Sequence, residues 1–197
     1  MELDYIDRPG SCRILRVENT TAGQVPHIIF PFQKIIKSFE LIIEIGYYWG
    51  GFTLWLKRNS GENTKVIGYD ISDAQREVFD PSVEYRIGDC FDTKVIEEIK
   101  NLISSSGKTL IFCDGGQKEN EFNLYADFLK SGDVIMLHDY YDDEKIEPYN
   151  SFPESEGWIY SYESRFSNIK ECIERNTLVP FFYEDFRRCL VGSFIKF

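Results

Sequence analysis

The amino-acid sequence predicts an α/β fold: a doubly wound, mostly parallel seven-stranded sheet with an antiparallel last strand. Three observations carry that expectation. Short apolar runs alternate with amphipathic segments at about 20- to 25-residue spacing, the rhythm of strand–helix–strand crossovers. Five of these runs stop at an acid: Glu44, Asp70, Asp89, Asp114 and Asp139. Two closing runs, near 177–183 and 188–196, are linked only by the turn around Glu184-Asp185, so they should pair antiparallel.

Taken in order, residues 1–25 form an N-terminal arm or cover, with a short edge strand from Cys12 to Val17. Ile28, Phe32, Ile35, Ile36 and Phe39 fall at helical spacing and predict a helix over 27–39, with Pro31 weakening its first turn. Leu41 to Ile45 is the first strand; a glycine turn and a helix over 51–59 follow. Lys65 to Tyr69 is the second strand, and 71–79 a short helix or loop helix. Val83 to Ile87 is the third strand, followed by a helix from Asp92 with Ile96, Ile99 and Ile103 on one face. Thr109 to Cys113 is the fourth strand, Glu119 to Lys130 a helix, and Val134 to Leu137 the fifth strand. Residues 141–157 are polar and turn-rich, with six acids and one lysine from Asp142 to Glu156; a solvated loop is expected, and a substrate lid is the functional alternative. A helix over about 162–175 precedes the closing strands. The whole reads as a single domain, 1–197.

Composition narrows the partners. Hydrophobic residues make up 43% and aromatics 16%, enough for a sizeable core. A net charge of −11 argues against nucleic acid, whose binding needs a basic footprint. The five cysteines include no C-x-x-C pair, so no zinc knuckle or redox motif is indicated. There is neither an apolar signal core nor a membrane-spanning run, and a cytoplasmic location with no membrane partner is expected. The aromatic surplus leaves room for a homo-oligomer surface, although no segment marks one.

Ligands of open α/β sheets sit beyond the carboxyl ends of the strands. Acids at all five ends crowd one rim, which costs energy unless a cation or hydrogen-bond donors compensate. The first turn, Gly46-Tyr47-Tyr48-Trp49-Gly50-Gly51, has Tyr48 where a dinucleotide fingerprint needs glycine. Glu44 would also repel a pyrophosphate. A phosphate-free, cationic cofactor fits better, and Asp70 is suitably placed to accept ribose hydroxyls.

At these residues a resemblance emerges. E-I-G-Y-Y-W-G-G-F-T resembles the first motif of class I S-adenosylmethionine-dependent methyltransferases, G-Y-D-I-S their second strand end and G-D-C-F-D their third. The stretch from D-G-G-Q at Asp114 to H-D-Y at Tyr140, with Gln24-Val25-Pro26, is similar to the small-molecule O-methyltransferase and cephalosporin-hydroxylase-like group. The resemblance covers roughly residues 24 to 140. It implies a Rossmann-like methyltransferase fold and an O-methyltransferase acting on a hydroxyl of a small molecule or sugar. It places Glu44, Gly46, Tyr48, Gly50 and Gly51 around the methionine part of S-adenosylmethionine, Asp70 at the ribose, and Asp89 or Cys90 at the adenine edge, with Ile71 also binding the cofactor. Asp114 would face both the cofactor and the chemistry.

Asp114 and the pair His138-Asp139 end adjacent predicted strands and could converge on a divalent ion that binds the substrate hydroxyl and lowers its pKa. Two carboxylates suit Mg²⁺; the histidine tilts preference toward Mn²⁺ or iron. One departure from the group stands out: the D-G-G-H histidine is Gln117 here, and an amide is no general base. His138, Lys118 or Tyr140 would have to replace it, the metal would make a base unnecessary, or the activity differs, as in a hydroxylase or a silent binder.

Overall fold

The structure, a computed structural model, describes residues 1–7, 13–78, 80–144 and 163–197. Cys12, Phe79 and most of the expected lid lie outside the described residues. The chain opens with a three-stranded antiparallel sheet, β1 (Leu3–Asp7), β2 (Arg13–Val17) and β3 (Thr20–Thr21). The expected helix over 27–39 is a short α-helix, α1 (Ile29–Ile35), flanked by single 3-10 turns.

The central sheet is built from β4 (Leu41–Ile45), β5 (Lys65–Asp70), β6 (Glu84–Ile87), β7 (Thr109–Cys113), β8 (Val134–Leu137), β11 (Leu178–Pro180) and β12 (Gly192–Lys196), in the order β11-β12-β8-β7-β4-β5-β6. Strands β4 to β8 pair in parallel, while β12 runs antiparallel to both of its neighbours. The short strands β9 (Tyr140–Tyr141) and β10 (Ser164–Arg165) form a separate parallel pair. Helices α2 (Gly51–Asn59), α3 (Thr93–Ser105), α4 (Lys118–Tyr125) and α5 (Phe166–Arg175) supply the crossovers.

Strands β4 and β7 are buried along their whole length because both faces of the sheet are covered. Alternate residues enter two cores. Ile42, Leu110 and Phe112 join Phe32, Phe52 and Trp55 on the face covered by α1 and α2; Ile43, Ile45 and Ile111 join Ile99, Phe122 and Ile169 on the face covered by α3, α4 and α5.

Two expectations need correction. Residues 71–78 and 80–83 contain no helix; Ser72 and Ser82 sit in aspartate-anchored turns under Asp70 and Asp80 instead. The closing strands are not joined by a plain turn, since a short helix α6 (Tyr183–Arg187) intervenes and seats Phe186 in the core.

From β4 the chain runs outward to β5 and β6, then returns to β7 on the other side and continues to β8. The order therefore reverses between β4 and β7, where a crevice opens at the strands' carboxyl ends. Ile45 pairs with Cys113 there, so Gly46 and Asp114 stand side by side at its floor.

Candidate active site

The turn after β4 is tied down from three sides. Gly46 donates its N–H to the Tyr69 carbonyl at 2.7 Å. Its φ is +87°, and a Cβ there would lie 2.4 Å from the Asp114 carbonyl oxygen. Only glycine lets this turn meet the loop after β7 so closely. Tyr48, itself at φ +44°, donates its backbone N–H to Asp70 Oδ2 at 2.9 Å. At Gly51 a Cβ would lie 2.4 Å from the Thr21 carbonyl oxygen, so this glycine serves the docking of the N-terminal arm on α2.

A cavity of about 600 Å³ opens beyond β4, β5 and β7. Gly46, Tyr48, Asp70, Ile71, Asp89, Cys90 and Asp114 all line it, together with Phe91, Gly116 and Glu121. Its described wall contains no Lys, Arg or His. Asp70 also accepts the Ser72 N–H, at 3.3 Å, so backbone amides fix its carboxylate. Asp89 accepts the Phe91 N–H at 2.9 Å. The Cys90 carbonyl accepts the Tyr125 hydroxyl at 2.5 Å, and burial, with Glu121 and Asp89 nearby, pushes the Cys90 thiol up to about 12. Cys90 therefore presents a neutral wall, not a nucleophile.

Glu44, Gly50 and Gly51 do not line this cavity. Glu44 is 2% exposed and accepts the Thr53 hydroxyl at 2.5 Å. Burial raises its pKa well above the usual carboxylate range; Thr53 pulls the other way, and the charges of Asp114 and Asp70 add to the rise.

A second cavity, of about 250 Å³, is lined by Gly23 and Gln24 from the arm, by Glu44 and Trp49, and by Asp114, His138 and Asp139. Gly46, Tyr48 and Asp114 belong to both cavities and mark their junction. Asp114, His138 and Asp139 do converge, with ligand-type atoms within 4.8 Å of one another. His138 Nδ1 lies 2.9 Å from Asp114 Oδ1, and the network assigns it the proton. Burial alone would lower the His138 pKa; the charge and hydrogen bond of Asp114, with Asp139, outweigh it and leave it raised. Gln24 donates to Asp114 Oδ2 at 2.5 Å, so the arm is part of the site. Lys118 Nζ lies 2.5 Å from Glu163, 3.3 Å from Asp139 and 3.9 Å from Asp114.

The family model described as rhamnosyl O-methyltransferase/CmcI matches residues 18–160. The chain belongs to the rhamnosyl O-methyltransferase/CmcI family. Among solved structures, an apo form of CmcI is 15% identical and superposes with a TM-score of 0.65 over 92% of this chain and 75% of that one. A Mg–SAM form of CmcI gives 17% identity and a TM-score of 0.61 over 90% and 75%. The MycE methyltransferase from the mycinamycin biosynthetic pathway, in complex with Mg and SAH, gives 16% and 0.53 over 87% and 48%. At such identities the likeness is one of fold. A curated protein, the ribosomal RNA large subunit methyltransferase E of Treponema denticola, is 20% identical over 152 residues, 74% of each chain.

Within this family member, the loop Asp114-Gly115-Gly116-Gln117 is held by a residue that sequence reasoning missed. Glu121, 1% exposed, accepts the N–H groups of Gly115 at 3.1 Å and Gln117 at 3.2 Å. Its position three residues beyond Lys118 on α4 was the available signal. Gln117 stands at the N-cap position of α4 without a side-chain cap bond, and its side-chain carbonyl accepts from Asn120 at 2.8 Å.

Burial lifts the Glu121 pKa from 4.5 to about 7 against those two amide bonds, so the folded state holds a proton that the unfolded chain releases. The associated stability is complete below about pH 4.5 and is lost as pH rises through about 7, a difference of roughly 3 kcal/mol. Urea denaturation at pH 5 and pH 8 should thus give a lower stability at pH 8, with a smaller difference in Glu121→Gln. An unchanged difference would rule Glu121 out as its source.

Proposed function

We propose that this chain is an S-adenosylmethionine-dependent O-methyltransferase that acts on a hydroxyl of a small molecule or sugar. The observation that carries this reading is the junction at Gly46, Tyr48 and Asp114 between a large cavity without basic residues and a small acid-lined one. A pyrophosphate would find no counter-charge on the large cavity's described wall, whereas a sulfonium and an amino group suit its acids. Bound S-adenosylmethionine would supply an electrophilic methyl group on a cationic sulfur.

Asp70 is held to receive the ribose hydroxyls, with Ile71 beside it, and Asp89 and Cys90 wall the adenine end. The small cavity would hold the acceptor hydroxyl across from the junction, on the side facing the cofactor's methyl end. The transfer breaks the sulfur–carbon bond, whose electron pair stays on sulfur. It forms a carbon–oxygen bond from an oxygen lone pair. The hydroxyl proton becomes acidic as that bond forms and passes to Asp139, whose side chain is 25% exposed. The acid-lined small cavity and the net charge of −11 disfavour anionic acceptors and nucleic acid.

A divalent ion at Asp114, His138 and Asp139 is a poorer fit. Both Asp114 oxygens already accept protein donors and an ammonium stands beside Asp139; His138 Nε2, buried and without a partner among the described residues, is left open as a ligand atom. No step here is routed through a metal.

Calorimetry with S-adenosylhomocysteine and with NAD tests the reading. Binding of the former and none of the latter is expected; absence of S-adenosylhomocysteine binding would sink it.

A further inference from the structure

The acid rim contains its own cation. Lys118, the first residue of α4, is 8% exposed, and its Nζ contacts three carboxylates from three parts of the chain: Asp114 after β7, Asp139 after β8 and Glu163 before β10. A lysine buried to this degree requires paired charge, and a carboxylate cluster requires a cation; each meets the other's need here. Asp114 and Asp139 are the carboxylates that a divalent ion would have to ligate, and Lys118 stands 3.9 and 3.3 Å from them. An ion bound to those oxygens would feel a positive charge a few ångströms away in a partly buried site. It would also have to share Asp114 Oδ2 with Gln24 and Oδ1 with His138.

We propose that Lys118 takes the place of a divalent metal in this enzyme. Its fixed charge, shared with Glu163, offsets part of the negative charge of Asp114 and Asp139, and the rim binds no divalent cation while Lys118 is present. Lys118 is a positioning residue: it lines neither cavity and acts through the two carboxylates that do. It sets Asp139 toward the small cavity as proton acceptor and keeps Asp114 at the junction. The role rests on the methyltransferase reading above.

The test is a Mn²⁺ titration, followed by calorimetry and electron paramagnetic resonance, of the full chain saturated with S-adenosylhomocysteine. Wild type is expected to bind no Mn²⁺ at the rim at millimolar concentration. Lys118→Met uncovers the acids and should bind one Mn²⁺ at least about 100-fold more tightly than wild type. Lys118→Arg keeps the charge and should behave as wild type. Stoichiometric, micromolar Mn²⁺ binding by wild type that Asp139→Asn removes would overturn the proposal, as would a Lys118→Met protein that retains S-adenosylhomocysteine binding yet gains no Mn²⁺ site. If Lys118→Met does not fold, the wild-type titration decides alone. Failure to bind S-adenosylhomocysteine is a separate outcome that strikes the methyltransferase reading, whatever Mn²⁺ does.

Discussion

Asp114→Ala is expected to reduce methyl transfer by about 10²- to 10⁴-fold, the scale of losing a group positioned at the reacting centre. The side chain stands where the two cavities meet, and both of its oxygens are engaged. Removing it strands the Gln24 amide and the His138 Nδ1–H, both buried, and leaves Lys118 with one fewer counter-charge. Asp114→Asn is a stricter probe. It keeps the shape and an acceptor for His138, but turns an amide toward the Gln24 amide, so donor meets donor. Single-turnover transfer to an acceptor found in a hydroxylated-compound panel measures the chemical step, and calorimetry with S-adenosylhomocysteine reports cofactor affinity beside it. A rate within tenfold of wild type for Asp114→Ala would remove the junction from the chemistry.

Much of this site could be anticipated because parallel strands buried on both faces read as unbroken apolar runs, and their ends are marked by polar residues. Gly46, Asp70, Asp89, Asp114 and His138-Asp139 were all accessible that way. What stayed hidden depends on faces and on distant partners. Glu44 belongs to the same motif as Gly46, yet strand alternation puts it on the face of Ile42, opposite Ile45; Ile45 lines the large cavity and Glu44 only the small one. The period-two pattern contained that information, but the motif resemblance drew Glu44 toward the cofactor. Gly51 follows a different logic, because its neighbour, the Thr21 carbonyl, belongs to an arm whose docking no local pattern announces. The contacts of Gln24 with Asp114 and of Lys118 with Glu163 join segments that meet only once the sheet has formed. Tyr183–Arg187 was read as part of a strand and link because its aromatic run suits a strand; the tertiary need to seat Phe186 made it a helical turn.

Gly46→Ala is the most damaging single methyl group the site offers. The added carbon would lie 2.4 Å from the Asp114 carbonyl oxygen and 2.6 Å from both the Asp114 carbonyl carbon and the Gly115 Cα, all backbone atoms that cannot swing aside. The backbone is also left-handed at φ +87°, which an L side chain resists by roughly 1–2 kcal/mol. With overpacking of typically 1–3 kcal/mol, the total comes to roughly 2–5 kcal/mol. For a chain of this size that corresponds to a fall in Tm on the order of 5–15 °C. The only relief is to part the β4 turn from the β7 loop, which widens the junction and separates the two cavities' contents. Stability and S-adenosylhomocysteine affinity should therefore fall together. Gly116→Ala, one loop residue along, has nothing within 4 Å of the new carbon and a φ outside the left-handed region. Its stability should stay within about 0.5 kcal/mol of wild type. Thermal melts of the two variants, each with and without S-adenosylhomocysteine, separate the cases; equal melting temperatures would mean that the close approach of Gly46 to Asp114 does not hold the crevice together.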